Sequence, residues 1–214
     1  MDSHLLDSFE PLYYQYNNTI KLLIAEIEIR YESFPTPIFN EIRAFNDHIA
    51  RCFMEPNNKE LVDIQVRKAK GHIERMILDC YKFLNVSLYD SVIKGFDKKY
   101  KGVDLSVINN GDFILEYKKI KKEIVLLLKD AKSKEYLENK DSSIELYEKA
   151  HNRYTDLENL ILNNCSNLFW AKNKFCVKRF LKFIGWFLAA IISGFVSNCL
   201  LPYDKMIEWI KSIF

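Results

Sequence analysis

The sequence predicts an all-α protein that ends in a membrane-spanning helix. Three observations carry this. All five prolines lie at Pro11, Pro35, Pro37, Pro56 and Pro202, which leaves residues 57–201 free of the residue that most strongly breaks helices. Apolar side chains recur every three or four positions along most of the chain, while alternating strand patterns flanked by turn pairs are not visible. The stretch Phe183–Leu201 runs nineteen residues without a charge.

Composition narrows the functional classes. With 31 basic and 29 acidic residues the net charge is +2, and both signs are spread along the chain. The chain as a whole is therefore not a polybasic nucleic-acid binder. The start, Met1-Asp2-Ser3-His4, has no long apolar run, so no secretory signal peptide is expected. The five cysteines, Cys52, Cys80, Cys165, Cys176 and Cys199, show no metal-type spacing. In a cytoplasmic head they read as reduced, buried, small apolar residues. The Lys-, Ile- and Asn-rich, Gly- and Ala-poor composition has the flavour of an AT-rich bacterial genome.

The first helix is expected from about Glu10 to Glu32, with Pro11 in its first turn and Leu12, Ile20, Leu23, Ile24, Ile27 and Tyr31 as its apolar stripe. Thr36 is placed to cap a second helix and Pro37 to open it, ending near Phe53. Ile38, Ile42, Phe45, Ile49 and Phe53 mark its buried side. After Glu55-Pro56-Asn57-Asn58 a long helix carries Leu61, Ile64, Ala69, Ile73, Met76, Ile77, Cys80 and Leu84, with a bend or break expected over residues 85–91. A further helix should stop near Lys101-Gly102, and Asn109-Asn110-Gly111 is a turn.

Two more helices read as a hairpin. Phe113, Tyr117, Ile120, Ile124, Leu127 and Ala131 form the first stripe. Ser142-Ser143-Ile144-Glu145 matches a capping box with Ser142 as cap. Tyr147, Ala150, Tyr154, Leu157, Ile161, Asn164, Leu168, Ala171 and Phe175 then keep heptad spacing, with Asn164 in the position that can fix register. The stripe is read either as a stalk between copies or as packing on the preceding helix.

The uncharged stretch organises the rest. Nineteen helical residues cover roughly 28 Å, close to the ~30 Å hydrocarbon core of a bilayer. Ten Ile, Leu, Val and Phe residues favour insertion, opposed by Asn198 and two serines. The plain alternative is a buried core helix. Lys172, Lys174, Lys178, Arg179 and Lys182 crowd the upstream edge, which places the N-terminal part in the cytoplasm. Gly185, Ala189, Ser193 and Ser197 form one stripe of small residues, and Ala190, Gly194 and Asn198 a second beside it. Such stripes let transmembrane helices approach closely, so a homo-oligomer and a pore are expected; a simple anchor is the alternative. The tail from Tyr203 to Phe214 is amphipathic, with Trp209 as an interfacial anchor.

Most enzyme templates are absent: there is no phosphate-binding loop, no His-Glu-x-x-His and no Gly-x-Ser-x-Gly. His48 and Cys52 alone make a weak metal pair, and no metal or cofactor is expected. One constellation remains, Arg43-Ala44-Phe45-Asn46-Asp47-His48, inside the amphipathic second helix. On its own, Arg43 with Asp47 and Arg51 reads equally as a surface ion-pair ladder. The Arg-x4-His arrangement resembles the signature of the HEPN superfamily, small all-α domains that often cleave RNA as dimers without metal. The resemblance implies that Arg43 holds the scissile phosphate and His48 does acid–base chemistry on the ribose 2′-hydroxyl.

A HEPN-like head joined to a membrane span also resembles the small membrane accessory proteins encoded beside RNA-targeting type VI CRISPR nucleases. That likeness implies a HEPN-like cytoplasmic domain over residues 1–104, a helical hairpin or stalk over 105–179, a transmembrane helix over 180–202 and an interfacial tail over 203–214. It implies an antiphage effector that oligomerises in the bacterial inner membrane and permeabilises it, with the lipid bilayer, copies of itself and an RNA-guided CRISPR nuclease as partners. The alternative it leaves is a membrane-tethered HEPN ribonuclease, with RNA as substrate.

Overall fold

The computed structural model describes residues 3–137, 140–200 and 203–213. Among them there is no strand, and helices account for nearly the whole chain. The first rod joins α1 (Ser3–Gln15), a π-helical segment (Tyr16–Ile20) and α2 (Lys21–Tyr31). It starts well before Glu10, so Pro11 lies inside α1 and not in its first turn. Glu32 ends α2 in the left-handed region at φ 48°, its N–H donating to the Glu28 carbonyl at 3.0 Å. That conformation costs a residue with a Cβ roughly 1–2 kcal/mol.

Helix α3 (Thr36–Met54) opens on Pro35, whose carbonyl accepts from Ile38 N–H at 3.1 Å. Pro35 occupies the cap position with no side-chain bond, so the cap expected of Thr36 is not formed. Helix α4 (Lys59–Leu88) is capped by Asn58, whose side chain accepts from Leu61 N–H at 3.2 Å. Its thirty residues span about 45 Å. No break follows. The chain continues through a second π-helical segment (Tyr89–Lys94) into α5 (Gly95–Lys99). One widened turn inserted into a continuous helix replaces the expected bend.

Helix α4 is the axis of the first compact unit, which comprises Met1–Lys101 and Leu115–Asn163. It packs against α1, α2, α3 and α7 (Lys140–Asn163). Its buried face includes Val62, Ala69, Ile73, Met76, Cys80, Leu84 and Leu88. Ile20, Ile27, Ile38, Phe45, Ala150, Tyr154 and Leu157 are buried on the surrounding helices. Helix α6 (Asp112–Tyr136) is tied to α5 by Asp97, which accepts from Tyr117 Oη at 2.8 Å and from Lys121 Nζ at 2.5 Å.

The heptad stripe meets its own chain. Tyr147, Ala150, Tyr154 and Leu157 are buried in this unit, and Asn85 of α4 donates to the Tyr147 carbonyl at 3.0 Å. The stripe is also not one continuous helix: α7 ends at Asn163, and α8 (Cys165–Leu200) begins after a turn at Asn164. Asn164 is buried at that junction and accepts from Asn109 Nδ2 at 3.0 Å. It therefore holds a turn, not the register of an unbroken coil. Ser142 lies within α7 rather than at its cap, while Ser143 donates to the Ala131 carbonyl at 3.0 Å and pins α7 to α6.

The second unit comprises Gly102–Ile114 and Asn164–Phe214. The sequence segment 105–179, expected as one hairpin, is thus shared between the two units. Gly102 sits at φ +80°, with the Phe175 ring 3.5 Å from where a Cβ would stand. The turn expected at Asn109-Asn110-Gly111 is present, with all three residues at positive φ. Cys52 and Cys80 are buried as expected, whereas Cys165 and Cys176 are exposed. The Cys199 side chain, residues 201–202 and Phe214 lie outside the described residues.

Helix α8 is long and apolar enough to cross a membrane by length and composition, and none of its apolar window is buried. The core-helix alternative fails on that point, because a core helix hides its apolar faces. Helix α9 (Tyr203–Ile213) follows with Trp209, Ile210 and Ile213 exposed.

Candidate functional site

Five residues along a helix turn roughly 500°, so Arg43 and His48 stand about 140° apart on α3. Phe45, Ile49 and Cys52 fill the buried face between α3 and its neighbours. His48 falls at the margin of that face and is half-buried, while Arg43 is exposed and makes no ion pair with a described residue. One chain therefore does not bring Arg43 and His48 together. The ladder of Arg43, Asp47 and Arg51 is not formed either: all three are exposed, with no ion pair among them.

His48 meets α4 instead. Its Nδ1 lies 2.6 Å from Gln65 Oε1, and its ring stacks on His72 with centroids 5.1 Å apart and planes 26° from parallel. His72 Nδ1 lies 2.6 Å from Glu41 Oε2. Arg75 Nε approaches the same carboxylate oxygen at 3.4 Å and donates to the Gly71 carbonyl at 3.1 Å. Glu41 and His48 thus come from α3, and Gln65, His72 and Arg75 from α4.

Hydrogen-bond chemistry orients both imidazoles. A carboxylate only accepts, so His72 Nδ1 carries the proton toward Glu41. Arg75, 3.4 Å from the same nitrogen, is a donor and cannot displace that bond. With Gln65 presenting its oxygen, His48 Nδ1 donates as well. Each neutral ring then keeps Nε2 as its acceptor. In the stack each imidazole is thus held at Nδ1 by an acceptor, which leaves Nε2 of both rings outside these bonds. The His72 side chain is 12% exposed and Glu41 21%, so the pair sits at a shallow, partly desolvated seam.

Sequence reasoning reached His48 and missed its partners. The signal for His72 was available: Arg67-Lys68-Ala69-Lys70-Gly71-His72 repeats the Arg-x4-His spacing on the next helix. Arg67 is exposed, one turn before His72 and with its Nε donating to the Asp63 carbonyl at 3.4 Å. Gln65 had no signal, since a buried glutamine is recognisable only once its partner is known.

Among the described residues no group of three or more His, Cys, Asp or Glu side chains is arranged to hold a metal. Cys52 Sγ lies 4.0 Å from the Val62 carbonyl oxygen, and burial pushes its thiol above the ordinary range. A separate ionic cluster joins α2 to α7. Arg30 makes a two-pronged bond to Glu158 at 2.9 and 3.1 Å and bonds Glu26 at 2.7 Å. His151 Nε2 reaches Glu26 at 3.1 Å, and this bond, aided by Arg30, holds the Glu26 carboxyl below its usual range.

The membrane-packing residues lie on α8. Gly185, Ala189, Ser193, Gly194 and Ser197 are all exposed, with nothing within 4 Å of a Cβ built on either glycine. Ser197 Oγ donates to the Ser193 carbonyl at 2.9 Å, so its hydroxyl is satisfied within the helix. Asn198 lies on the same helix, with its side chain outside the described residues. Upstream, Lys174, Lys178, Arg179 and Lys182 are exposed, and Lys174 lies 4.6 Å above the Trp170 ring.

Comparison with protein-family models, with curated proteins and with solved structures finds no match to this chain.

Proposed function

We propose that this protein is a membrane-bound effector of antiphage defence. A cytoplasmic helical head is carried by α8, whose copies pack into a ring that permeabilises the bacterial inner membrane, in concert with an RNA-guided CRISPR nuclease. The observation that supports this most is α8 itself. Its apolar window is wholly unburied, and exposing that much apolar surface to water is unfavourable at ~25 cal/mol per Å². A bilayer removes the cost. The small residues on two of its stripes then offer a close-packing surface to other copies. One span cannot enclose water, so permeabilisation requires several chains. The upstream lysines favour a cytoplasmic head, and the HEPN-like likeness at Arg43 and His48 supplies the defence setting.

Liposome leakage tests this reading. Full-length protein in vesicles of phosphatidylethanolamine and phosphatidylglycerol should release a trapped dye. Gly194→Leu should lower release at least tenfold while the protein still inserts, because the bulk falls on the packing stripe. A monodisperse monomer in mild detergents, with no leakage at any protein density, would leave only the anchor.

A second reading, a membrane-tethered HEPN ribonuclease, is favoured by the His48–His72 stack. Here the two oriented imidazoles serve as base and acid on an RNA ribose, and an arginine from the α3 or α4 motif holds the phosphate. Cleavage of single-stranded RNA in the presence of EDTA should fall about 10²–10⁴-fold in His48→Ala and in His72→Ala. Cleavage that persists in both would remove this assignment.

A further inference from the structure

We infer that the cytoplasmic half of α8 carries a further interface between copies of this chain, an aromatic seam that continues the membrane-packing face in parallel and in register. The inference rests on the proposed self-packing of α8 and adds to it a surface outside the bilayer. It starts from a three-four pattern: Phe169, Asn173, Cys176, Phe180, Phe183 and Phe187. The same steps lead on to Ala190, Gly194 and Ser197. Spacing of this kind keeps one face of a helix turned toward a partner helix.

The chain does not use this face itself. Leu168 and Ala171 are buried, and the Phe175 ring stands over Gly102. On that side α8 meets its own unit, at the segment Leu105–Val107. At about 100° per residue, that side lies roughly 130° round the helix from the seam. Phe169 is 67% exposed and Phe180 62%. Asn173 and Cys176 are exposed as well, and the Phe183 and Phe187 rings lie side by side with centroids 6.5 Å apart.

Charge keeps clear of the seam. Lys174, Lys178 and Lys182 stand roughly 140–180° from its centre line. Lys172 and Arg179 flank it, and in a parallel pair they fall opposite the apolar Val177 and Ile184 of the other copy, not opposite a like charge.

Position selects the occupant. Helix α8 is unbroken from Cys165 to Leu200. Phe169 precedes the start of the uncharged stretch at Phe183 by fourteen residues, about 21 Å of helix. The headgroup layer is only roughly 5–8 Å deep on each side, so lipid does not reach the far end of the seam. Copies inserted with one topology and packed through Ala190, Gly194 and Ser197 bring the same face of each extension together, because a continuous helix carries its register out of the bilayer. Asn173 holds the kind of core position where a polar residue favours in-register pairing with its own copy.

Cys176 provides the test. Cys52 and Cys80 are buried, and Cys165→Ala/Cys199→Ala removes the other thiols. In isolated membranes of cells expressing this full-length protein, copper–phenanthroline oxidation should join Cys176 to Cys176 and give a band of twice the chain mass on a non-reducing gel. A disulfide needs the two Cα atoms within about 7 Å. Asn173→Cys or Phe180→Cys, each in a Cys176→Ala background, should therefore link too, and Lys178→Cys, on the opposite face, should not. Phe180→Lys should lower the Cys176 link roughly tenfold, with the amount of protein in the membrane unchanged. No link at any of the three seam positions, an equally strong link from Lys178→Cys, or a link from Cys176 to a different protein would overturn the seam. Dye release that persists without seam links would overturn the seam and leave the membrane ring standing. Seam links in a protein that never releases dye would support the seam and overturn permeabilisation.

Discussion

Ile192→Arg is expected to move this protein out of the membrane fraction almost completely. Ile192 is the middle residue of the uncharged stretch Phe183–Leu201 and is 61% exposed, so the substitution disturbs no internal packing. Nine residues separate it from either end, about 13 Å, which is too far for the guanidinium to reach the interface easily. Arginine at the centre of a span costs roughly 2.5–3.5 kcal/mol, and the lost isoleucine adds ~0.3–0.6. The sum, about 3–4 kcal/mol, is of the same size as everything the ten aliphatic and phenylalanine side chains contribute at ~0.3–0.6 kcal/mol each. Insertion should therefore fall on the order of 10²–10³-fold, while Ile192→Leu leaves it unchanged. Alkaline extraction of membranes followed by quantification of the pellet reads this directly. An arginine variant that remains fully extraction-resistant would mean that α8 is not the span.

Much of the fold was legible because it depends on local rules. The absence of proline between Asn57 and Leu201 leaves long helices unbroken, and one continuous rod does run from Lys59 through Lys99. Of the stripe Ile38, Ile42, Phe45, Ile49 and Phe53, Ile38, Phe45 and Ile49 are buried and Ile42 partly so, whereas Phe53, in the last turn of α3, is 47% exposed. Asn109 and Asn110 adopt the left-handed conformations that their short polar side chains tolerate. These features need no knowledge of what packs where.

The features that sequence reasoning missed depend on partners or on competition between bonds. The capping box at Ser142–Glu145 has the right spacing, yet Ser143 does more for the fold by reaching across to Ala131, and α7 begins earlier. The heptads at Tyr147–Leu157 have the spacing of a coil between copies, but α4 covers them, which period alone cannot tell. The π-helical segments leave no mark on a three-four pattern, since one inserted residue only shifts the stripe. At the candidate site, His48 stood out through its spacing to Arg43. The arrangement around it is instead made by α4, which stacks His72 on His48 and turns Glu41 into the acceptor for His72. Arg43, half of the motif, lies exposed at the far side of the helix.

That division of roles within one motif leads to a contrast between neighbours. Phe45→Ala is expected to destabilise the head by about 3–5 kcal/mol, whereas Arg43→Ala, two residues away, should fall within about 0.5 kcal/mol of wild type. Phe45 is 1% exposed and is gripped by two rings of the first rod. Tyr13 meets it edge-on at 5.5 Å, and Tyr16 lies parallel to it at 6.3 Å. Removing the ring leaves a cavity where α1 and its π-helical extension dock on α3, and helix backbones do not close such a gap fully. Loss of both aromatic contacts adds to the lost burial. For a head of this size the melting temperature should fall by roughly 6–20 °C, at about 2–4 °C per kcal/mol. Thermal unfolding followed by circular dichroism in detergent reports the helical head, and the Arg43→Ala curve supplies the reference. A Phe45→Ala protein that melts with wild type would mean that the first rod does not dock on α3. A large loss from Arg43→Ala would show that Arg43 is held in a contact between copies, because within one chain it has nothing to lose.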